Sequence, residues 1–312
     1  MTGRIMITPR SLSRGDHPAL APLHERGFEL VYPSPGATPT EADLIDTIVH
    51  CVGWIAGVEP VSEDVIKAAT SLRVISRNGT GVDNLPLSAL ERRGIAVCRA
   101  EGANARGVAE LALSLCLAGF RDVVNTHNGI RAGGWPRRIG RELQNARVGV
   151  VGLGAIGASF ARFALALGGR VSGYDPFAPR TVVDDPHFSR TDLDDVLRGA
   201  NAVSLHAPLP GNNRPMIGRQ ELALLARGAV VVNTARAGLI DDDAMLEALQ
   251  SGQVGAFAAD VFHAEPPVMT ALLRHPNVIL TSHIGGFTAE SVERATSRAV
   301  ENLLEALDIA MA

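Results

Sequence analysis

The chain has 312 residues, more than the roughly 100–200 residues usual for one domain, so two domains are predicted. Its hydrophobic fraction of 46% and charged fraction of 20% are typical of a globular protein and exclude a disordered or collagen-like chain. The formal net charge of -4 gives no electrostatic reason to expect nucleic acid or an anionic membrane surface as a partner. A small molecule is therefore the expected partner.

The three cysteines, Cys51, Cys98 and Cys116, are odd in number and widely spaced, which favours neither a disulfide framework nor a metal site. We interpret them as small buried residues in a reducing compartment. The first residues contain no apolar run of signal-peptide length. The most apolar later window, at 111–119, is shorter than the roughly 20 residues that span a bilayer. We therefore expect a soluble, cytoplasmic protein with no bound metal.

Apolar runs alternate with helical patterns along almost the whole chain, which predicts the α/β class, parallel sheets covered by helices. In the first third, strands are predicted at 4–8, 28–32, 51–55 and 73–77, and helices at 17–26, up to 48 and at 62–69. The fourth strand ends in the loop Asn78-Gly79-Thr80-Gly81, where two glycines permit a positive φ.

A long helix is predicted at 103–120, with apolar residues almost all round it. Helices of this kind are buried. Two alternatives remain open: a core helix within one chain, or a helix packed against a second subunit. A linker at 133–136 then precedes a second alternating block, which begins with a strand at 147–152.

A glycine-rich sequence follows that strand and opens an amphipathic helix. Gly152, Gly154 and Gly157 have the G-x-G-x-x-G spacing of dinucleotide-binding loops, with Ala155 and Ile156 between the last two. These glycines permit a tight turn, a close approach of the backbone to a pyrophosphate and close packing of the helix on the strand. The helix N-terminus offers free N–H groups to the anion.

An acidic residue ends the next predicted strand, at 170–174. Asp175 lies 23 residues beyond Gly152, the spacing at which a carboxylate accepts hydrogen bonds from the adenosine ribose and repels a 2′-phosphate. Pro176 and Phe177 follow, and no arginine is adjacent. The pattern favours NAD over NADP, and the alternative is that Asp175 only caps a turn.

Arg236, Glu265 and His283 each follow a predicted strand. The three strands are at 229–234, 255–261 and 278–282. Because the carboxyl ends of parallel strands meet at one edge of a sheet, we expect these side chains to share a crevice beside the dinucleotide. There they would supply a general acid/base, a carboxylate that orients it and a fork for a substrate carboxylate. Taken singly, each could also be an ordinary solvated or capping residue.

Together these segments resemble the D-2-hydroxyacid dehydrogenase family, and within it the phosphoglycerate dehydrogenase-like branch. The matching motifs follow one another in the family's order from about residue 61 to the end of the chain. They are RNGTGVDN at 77–84, GLGAIG at 152–157, YDP at 174–176, VNTARAG at 232–238, DVF at 260–262, EPP at 265–267 and HIGG at 283–286.

The resemblance implies two doubly wound parallel-sheet domains. A Rossmann NAD-binding domain at 102–284 would be inserted into a flavodoxin-like substrate domain formed by 1–101 and 285–312. The resemblance also implies a homodimer through the 103–120 region. The implied reaction is the NAD-dependent interconversion of a D-2-hydroxy acid and its 2-oxo acid. In it His283 is the general acid/base, Glu265 its partner and Arg236 the residue that binds the carboxylate and polarises the carbonyl.

The resemblance implies further ligands. The backbone of Asn78 and Gly79 would hold the substrate carboxylate, and Asn104 would lie close to Arg236. Thr80 would lie near the nicotinamide, and Asp260 near its carboxamide. The full implied cofactor set is Thr80, Gly152, Gly154, Ala155, Ile156, Gly157, Asp175, Thr234, Ala235, Asp260 and Gly285.

Several positions depart from the family pattern. Ala155 replaces an arginine that in many members contacts the pyrophosphate, so one charge-assisted hydrogen bond of about 1.5–3 kcal/mol is missing and cofactor affinity is expected to be modest. Ala237 replaces a usual glycine and Ser282 a frequent proline, and both changes leave the reactive groups in place. Glu59 lies near the position where phosphoglycerate dehydrogenases have an arginine for the substrate phosphate.

Three functions therefore stay open. The leading prediction is a D-2-hydroxyacid dehydrogenase, whose substrate could be non-phosphorylated or derived from a sugar acid. The second is a true D-3-phosphoglycerate dehydrogenase of serine biosynthesis, for which Arg137 and Arg138 are possible phosphate ligands or only a solvated turn. That chain would lack the regulatory domain of longer phosphoglycerate dehydrogenases. The third is an NAD-sensing, corepressor-like binding protein.

Overall fold

The computed structural model describes residues 3–14, 17–179, 182–212 and 214–311. The chain divides into two compact units. Unit 1 comprises Met1–Asn104 and Thr288–Ala312, and unit 2 comprises Ala105–Phe287. The predicted boundaries, after 101 and after 284, lie three residues before these divisions. Both ends of the chain therefore contribute to unit 1.

Unit 1 contains a five-stranded parallel sheet in the order β2-β1-β3-β4-β5, the order of flavodoxin-like doubly wound sheets. Its strands are β1 (Arg4–Ile7), β2 (Glu29–Val31), β3 (Cys51–Ala56), β4 (Val74–Arg77) and β5 (Ala96–Arg99). Its helices are α1 (Ala21–Glu25), α2 (Glu41–Ile48), α3 (Glu63–Ala68), α4 (Leu87–Arg92) and α11 (Ala289–Met311).

Alternating residues of the central strands fill two cores, one on each face of this sheet. Met6 and Trp54 lie in the core beneath α2 and α3. Ile5 and Ile55 pack on the other face, where Leu303 of α11 joins them. Because helices cover both faces, the central strands are apolar along nearly their whole length, as expected for a parallel sheet.

Unit 2 contains a seven-stranded parallel sheet in the order β12-β11-β10-β9-β6-β7-β8. Read from β8, this is the Rossmann order with one further strand, which confirms the predicted fold class. Its strands are β6 (Arg147–Val151), β7 (Arg170–Tyr174), β8 (Phe188–Arg190), β9 (Ala202–Leu205), β10 (Ala229–Asn233), β11 (Val254–Ala259) and β12 (Val278–Leu280). Its helices are α5 (Ala105–Phe120), α6 (Val123–Arg131), α7 (Ala155–Ala166), α8 (Leu193–Leu197), α9 (Arg219–Leu224) and α10 (Asp242–Gln250).

Helix α5 corresponds to the apolar helix predicted at 103–120. One face, which includes Ala109, Ala112 and Cys116, is buried in the core of unit 2. Leu113 and Leu117 pack against the same core but are only partly buried. The core-helix interpretation therefore holds for the buried residues of α5. The alternative, packing against a second subunit, concerns its partly exposed leucines.

Seven of the named elements were not predicted: α4, β5, α6, β8, α8, β9 and α9. β5 and β8 are short strands at the sheet edges with half-exposed residues, and α6 buries none of its residues, so each has a weak hydrophobic pattern. The helix predicted at 17–26 is split. A 3₁₀ turn, Pro18–Leu20, precedes α1, and each of the two has a proline in its first turn. No helix within the described ranges is long and apolar enough to cross a membrane.

Candidate functional site

The glycine-rich loop between β6 and α7 is shaped by close backbone contacts. Gly152 has a φ of +91°, and a Cβ there would lie 2.6 Å from the nitrogen of Ala207. A Cβ on Gly157 would lie 1.9 Å from the carbonyl oxygen of Gly152. At Gly154, by contrast, the Cβ position has no described neighbour within 4 Å. The loop therefore packs tightly against the protein behind it and faces open space where the N-terminus of α7 begins.

Asp175 ties the end of β7 to this loop. Its Oδ2 accepts a hydrogen bond from the Leu153 nitrogen at 2.8 Å, and its Oδ1 accepts from the nitrogens of Phe177 at 2.8 Å and Ala178 at 3.1 Å. Partial burial opposes ionisation, but the three backbone donors outweigh it and hold the pKa of Asp175 below its ordinary value. An ionised carboxylate thus lies at the edge of the glycine loop.

Arg236 follows β10 in a loop held by the buried side chain of Asn233. That amide donates to the carbonyl of Arg236 at 2.8 Å and accepts from the nitrogen of Ala235 at 3.1 Å. The Arg236 guanidinium donates to the Ala235 carbonyl at 2.7 Å. The Thr234 hydroxyl is buried without a hydrogen-bond partner among the described residues, as expected where a ligand completes a polar site.

Glu265 and His283 are brought together by the loops that follow β11 and β12. The His283 Nδ1 lies 2.9 Å from Oε1 and 2.8 Å from Oε2 of Glu265. Both side chains are substantially exposed, at 52% for the histidine and 40% for the glutamate, so the pair contributes little to stability. Its effect is orientation. Because the glutamate occupies Nδ1, Nε2 is the ring nitrogen that can meet a ligand.

A buried carboxylate holds the loop that carries this histidine. Asp260 accepts hydrogen bonds from the Thr281 hydroxyl at 2.6 Å and from the nitrogens of Ile284 and Gly285 at 2.9 Å each. These bonds fix the loop on both sides of His283, whose φ of +54° lies in the left-handed region. Both oxygens of Asp260 thus hold the histidine loop, a role that the sequence did not suggest.

A second histidine lies beneath the glycine loop. The His206 ring packs 5.3 Å from the ring of Phe160, and its Nε2 lies 2.9 Å from the Ser204 hydroxyl. Burial lowers the pKa of His206 to about 3, so its imidazole is neutral at physiological pH. The loop is therefore supported by an uncharged ring, and a bound anion would be held by backbone N–H groups.

The remaining predicted site residues lie in unit 1. The nitrogens of Asn78 and Gly79 donate to the carbonyls of Ala56 at 2.9 Å and Arg77 at 2.8 Å. Both predicted carboxylate donors are thus engaged within unit 1, and a substrate would have to exchange with these partners. Thr80 is exposed in the same loop. Asn104 is the last residue of the first segment of unit 1, whereas Arg236, Glu265 and His283 belong to unit 2.

Glu59 is a buried residue. It accepts hydrogen bonds from the Gly57 nitrogen at 2.9 Å and from the Thr8 hydroxyl, which itself accepts from the Trp54 indole at 3.0 Å. Burial raises the pKa of Glu59 above its ordinary value. The segment from Trp54 to Val61 has no cationic side chain of its own, and Arg77 donates to its Ala56 carbonyl at 3.3 Å.

The basic pair after the glycine linker is solvent-exposed. Nη1 of Arg138 lies 3.8 Å from Oδ1 of Asp122, a distant contact between two side chains of unit 2, and Arg137 is exposed beside it. This contact and the exposure of Arg137 do not identify a phosphate ligand.

A cavity of about 140 Å³ lies behind the loop that carries Glu265. Its walls are mainly apolar and include Phe257, Phe262 and Leu272. His263 also lines it, with Nε2 3.6 Å from Oδ2 of Asp242. His263 is thus a second exposed histidine paired with a carboxylate, two residues before Glu265.

The site fits a dinucleotide on three observations: a glycine loop open only at Gly154, an ionised Asp175 bonded to that loop and a buried Thr234 hydroxyl without a described partner. Among the described residues, no group of three histidine, cysteine or acidic side chains is arranged to hold a metal ion. Fold and site together define a dinucleotide-binding α/β protein with a histidine–carboxylate pair beyond two strand ends.

Comparison with known proteins gives the family. Residues 113–285 match the NAD binding domain of the D-isomer specific 2-hydroxyacid dehydrogenases. The chain is 38% identical to a hydroxypyruvate reductase of Thermotoga maritima over 80% of this chain and 82% of that one. It is 39% identical to a D-3-phosphoglycerate dehydrogenase of Methanocaldococcus jannaschii over 79% of this chain and 48% of that one. The chain belongs to the D-2-hydroxyacid dehydrogenase family, in its phosphoglycerate dehydrogenase-like branch.

A solved structure supports the same assignment over the whole chain. The TT0316 protein from Thermus thermophilus superposes with a TM-score of 0.86 at 34% identity, covering 98% of this chain and 97% of that one. The match to the Methanocaldococcus phosphoglycerate dehydrogenase, by contrast, spans only about half of that enzyme's length.

Two residues that matter to the site escaped the sequence prediction. Asn233 positions the Arg236 loop, and its signal was a polar residue at the end of an otherwise apolar strand. Arg190 donates from its two terminal nitrogens to the carbonyls of Asp175 and Ala178. No sequence neighbour of Asp175 indicated it, because it arrives 15 residues later on β8, a strand of only three residues.

Proposed function

We propose that this protein is an NAD-dependent oxidoreductase that interconverts a D-2-hydroxy acid and its 2-oxo acid. The observation that carries the proposal is the His283–Glu265 pair beyond the strand ends of a sheet whose glycine loop fits a dinucleotide. The hydroxypyruvate reductase and the D-3-phosphoglycerate dehydrogenase that it resembles act, by their names, on compounds of this class.

The cofactor residues proposed in unit 2 are the glycine loop with Ala155 and Ile156, Asp175, the Thr234–Ala235 turn, Asp260 and Gly285. The loop and the N-terminus of α7 would hold the pyrophosphate, and Asp175 would accept hydrogen bonds from the adenosine ribose. When bound, the nicotinamide cofactor supplies or accepts the hydride. Asp260 contributes by holding the His283 loop, since its oxygens already accept three hydrogen bonds there.

His283 is the proposed proton donor and acceptor. Its Nδ1 faces Glu265, so the proton passes between Nε2 and the substrate oxygen: to the carbonyl oxygen in reduction and from the hydroxyl in oxidation. Glu265 fixes the ring orientation and stabilises the protonated imidazole by its negative charge. Arg236 pairs with the substrate carboxylate, a planar anion that a guanidinium binds with two parallel hydrogen bonds. Thr80 and Asn104, with the Asn78–Gly79 backbone, remain the substrate and nicotinamide contacts proposed in unit 1.

We further propose that the substrate lacks a phosphate group. Glu59 stands in the segment where a phosphate-binding arginine is expected, and residues 54–61 contain no lysine or arginine. The buried cation beside this segment, Arg77, already donates to the carbonyls of Ala56 and Asn78. A phosphorylated substrate needs charge-assisted contacts at its phosphate. The Methanocaldococcus relative favours the alternative, 3-phosphoglycerate, so both compounds belong in the test.

The test is the oxidation of NADH with hydroxypyruvate, glyoxylate, pyruvate, sugar-derived 2-oxo acids and 3-phosphohydroxypyruvate. We expect turnover with at least one non-phosphorylated acid and a lower kcat/KM for the phosphorylated one. His283→Gln should lower kcat by about 10²–10⁴. His263→Gln is the matched control and should leave kcat unchanged. Tight NADH binding without turnover of any acid would instead indicate an NAD-sensing binding protein.

We propose that the protein forms a homodimer in the cytoplasm. Helix α6 carries the half-exposed residues Val123 and Ile130, and the segment after it adds Trp135 at 77% and Ile139 at 100% exposure, while α5 adds partly buried leucines. Such a concentration of exposed apolar side chains is typical of an interface. The three cysteines are unpaired, which fits a reducing compartment. Sedimentation should give the mass of a dimer, and Ile139→Asp should shift it to the monomer.

A further inference from the structure

Arg190 stands beside the residue that selects the cofactor. It ends β8, where it pairs with Gly173 of β7, two residues before Asp175. Its terminal nitrogens donate to the carbonyls of Asp175 and Ala178, at the two ends of the turn after β7. A guanidinium has five N–H donors, and these two bonds use two of them. A cation is thus fixed on the turn that carries the ribose-binding carboxylate.

The Asp175 carboxylate and the Arg190 guanidinium have opposite effects on a phosphate group at the 2′-position of a bound adenosine ribose. The carboxylate accepts three backbone hydrogen bonds and stays ionised, and Arg190 is among the groups that favour its charge. A ribose 2′-hydroxyl can donate to this carboxylate, whereas a 2′-phosphate carries negative charge and is repelled by it. An arginine at the same place attracts the phosphate through charge-assisted hydrogen bonds.

We propose that Arg190 is a latent ligand for the 2′-phosphate of NADP(H), and that the charge of Asp175 alone prevents its use. This inference rests on the proposed function, because it requires that a nicotinamide dinucleotide binds beside Asp175. Arg190 is then the residue that sets how far cofactor preference shifts when Asp175 is neutralised.

The experiment measures dissociation constants of NADH and NADPH by fluorescence titration, without substrate. Wild-type protein should bind NADH at least tenfold more tightly than NADPH. Asp175→Asn should raise NADPH affinity by about 10–100-fold, the equivalent of one charge-assisted hydrogen bond. Adding Arg190→Met to Asp175→Asn should remove most of that gain.

Two matched controls identify the cation. Arg162 of α7 also donates to a backbone carbonyl, that of Val182 at 2.8 Å, so Arg162→Met in the Asp175→Asn background should keep the gain. Arg180, which lies outside the described residues, is tested in the same way by Arg180→Gln. Thermal unfolding without ligand checks each variant. Arg190→Lys keeps the charge and should retain part of the gain even if Arg190→Met loosens the turn.

If adding Arg190→Met to Asp175→Asn leaves the NADPH affinity unchanged, or if Arg180→Gln removes the gain instead, the inference is overturned and the proposed function stays intact. Failure of wild-type protein to bind either dinucleotide would contradict the proposed function and this inference together.

Discussion

The glycine loop and the histidine loop lie beyond strand ends of the same sheet but are held in different ways. The glycine loop is fixed by backbone packing, with glycines at points where a Cβ would meet another main-chain atom. The histidine loop is fixed by side chains, with Asp260 beneath it and Glu265 beside His283. Where main-chain atoms pack against a glycine, the loop has no space for an added methyl group. A loop fixed by side chains depends instead on individual charges and hydrogen-bond donors, and a substitution can remove one of these at a time.

The largest effect is expected where the backbone packing is tightest. Gly157→Ala places a methyl group 1.9 Å from the Gly152 carbonyl oxygen, so the turn must move. We expect a loss of about 3 kcal/mol in unfolding free energy, the upper end of the usual cost of overpacking, and no measurable NADH binding. Urea unfolding and fluorescence titration measure the two effects.

Gly154→Ala is the matched comparison, because the described structure has no atom near its Cβ position. It should leave the unfolding free energy nearly unchanged while weakening NADH binding, since the added methyl group occupies the space offered to the ligand. Equal loss of stability in both variants would contradict the contrast between the two glycines.

The histidine loop should respond to the loss of one charge. Asp260→Asn keeps the size of the side chain, but its amide nitrogen would face one of the N–H groups of Ile284 and Gly285. We expect a loss of about 2 kcal/mol in unfolding free energy and a lower kcat, with NADH affinity changed less than in the glycine variants. A variant with normal kcat would show that the loop does not need this carboxylate.

The smallest effect concerns the neutral imidazole beneath the glycine loop. The folded-state pKa of His206, about 3, is depressed from an ordinary value of about 6.5. Between those two values the unfolded chain binds a proton that the folded protein does not. Stability is therefore lost as the pH falls below about 6.5, by up to about 1.4 kcal/mol per pH unit. Urea unfolding at pH 7 and pH 5 measures the loss, and His206→Asn should reduce the slope.

The same contrast explains what the sequence could predict. The strand–glycine loop–helix pattern and the polar residues at successive strand ends follow local rules, so β6, α7, Asp175 and the Glu265–His283 pair were predicted from residue order. Asn233, Asp260 and Arg190 act through contacts with other elements or loops that residue order does not encode. The predicted donors Asn78 and Gly79 are engaged within unit 1, because the Ala56 carbonyl at the end of β3 and the Arg77 carbonyl at the end of β4 accept from their N–H groups.

His283 occupies a backbone conformation that most side chains avoid. A residue other than glycine costs about 1–2 kcal/mol in the left-handed conformation. A residue that adopts this conformation more readily would therefore make the protein more stable. The fold thus sacrifices stability where it presents the imidazole, and Asp260, bound to the two following N–H groups, keeps the chain from relaxing. Screening variants for heat resistance alone would favour glycine or asparagine at 283, and would select a more stable protein that had lost its proposed proton donor.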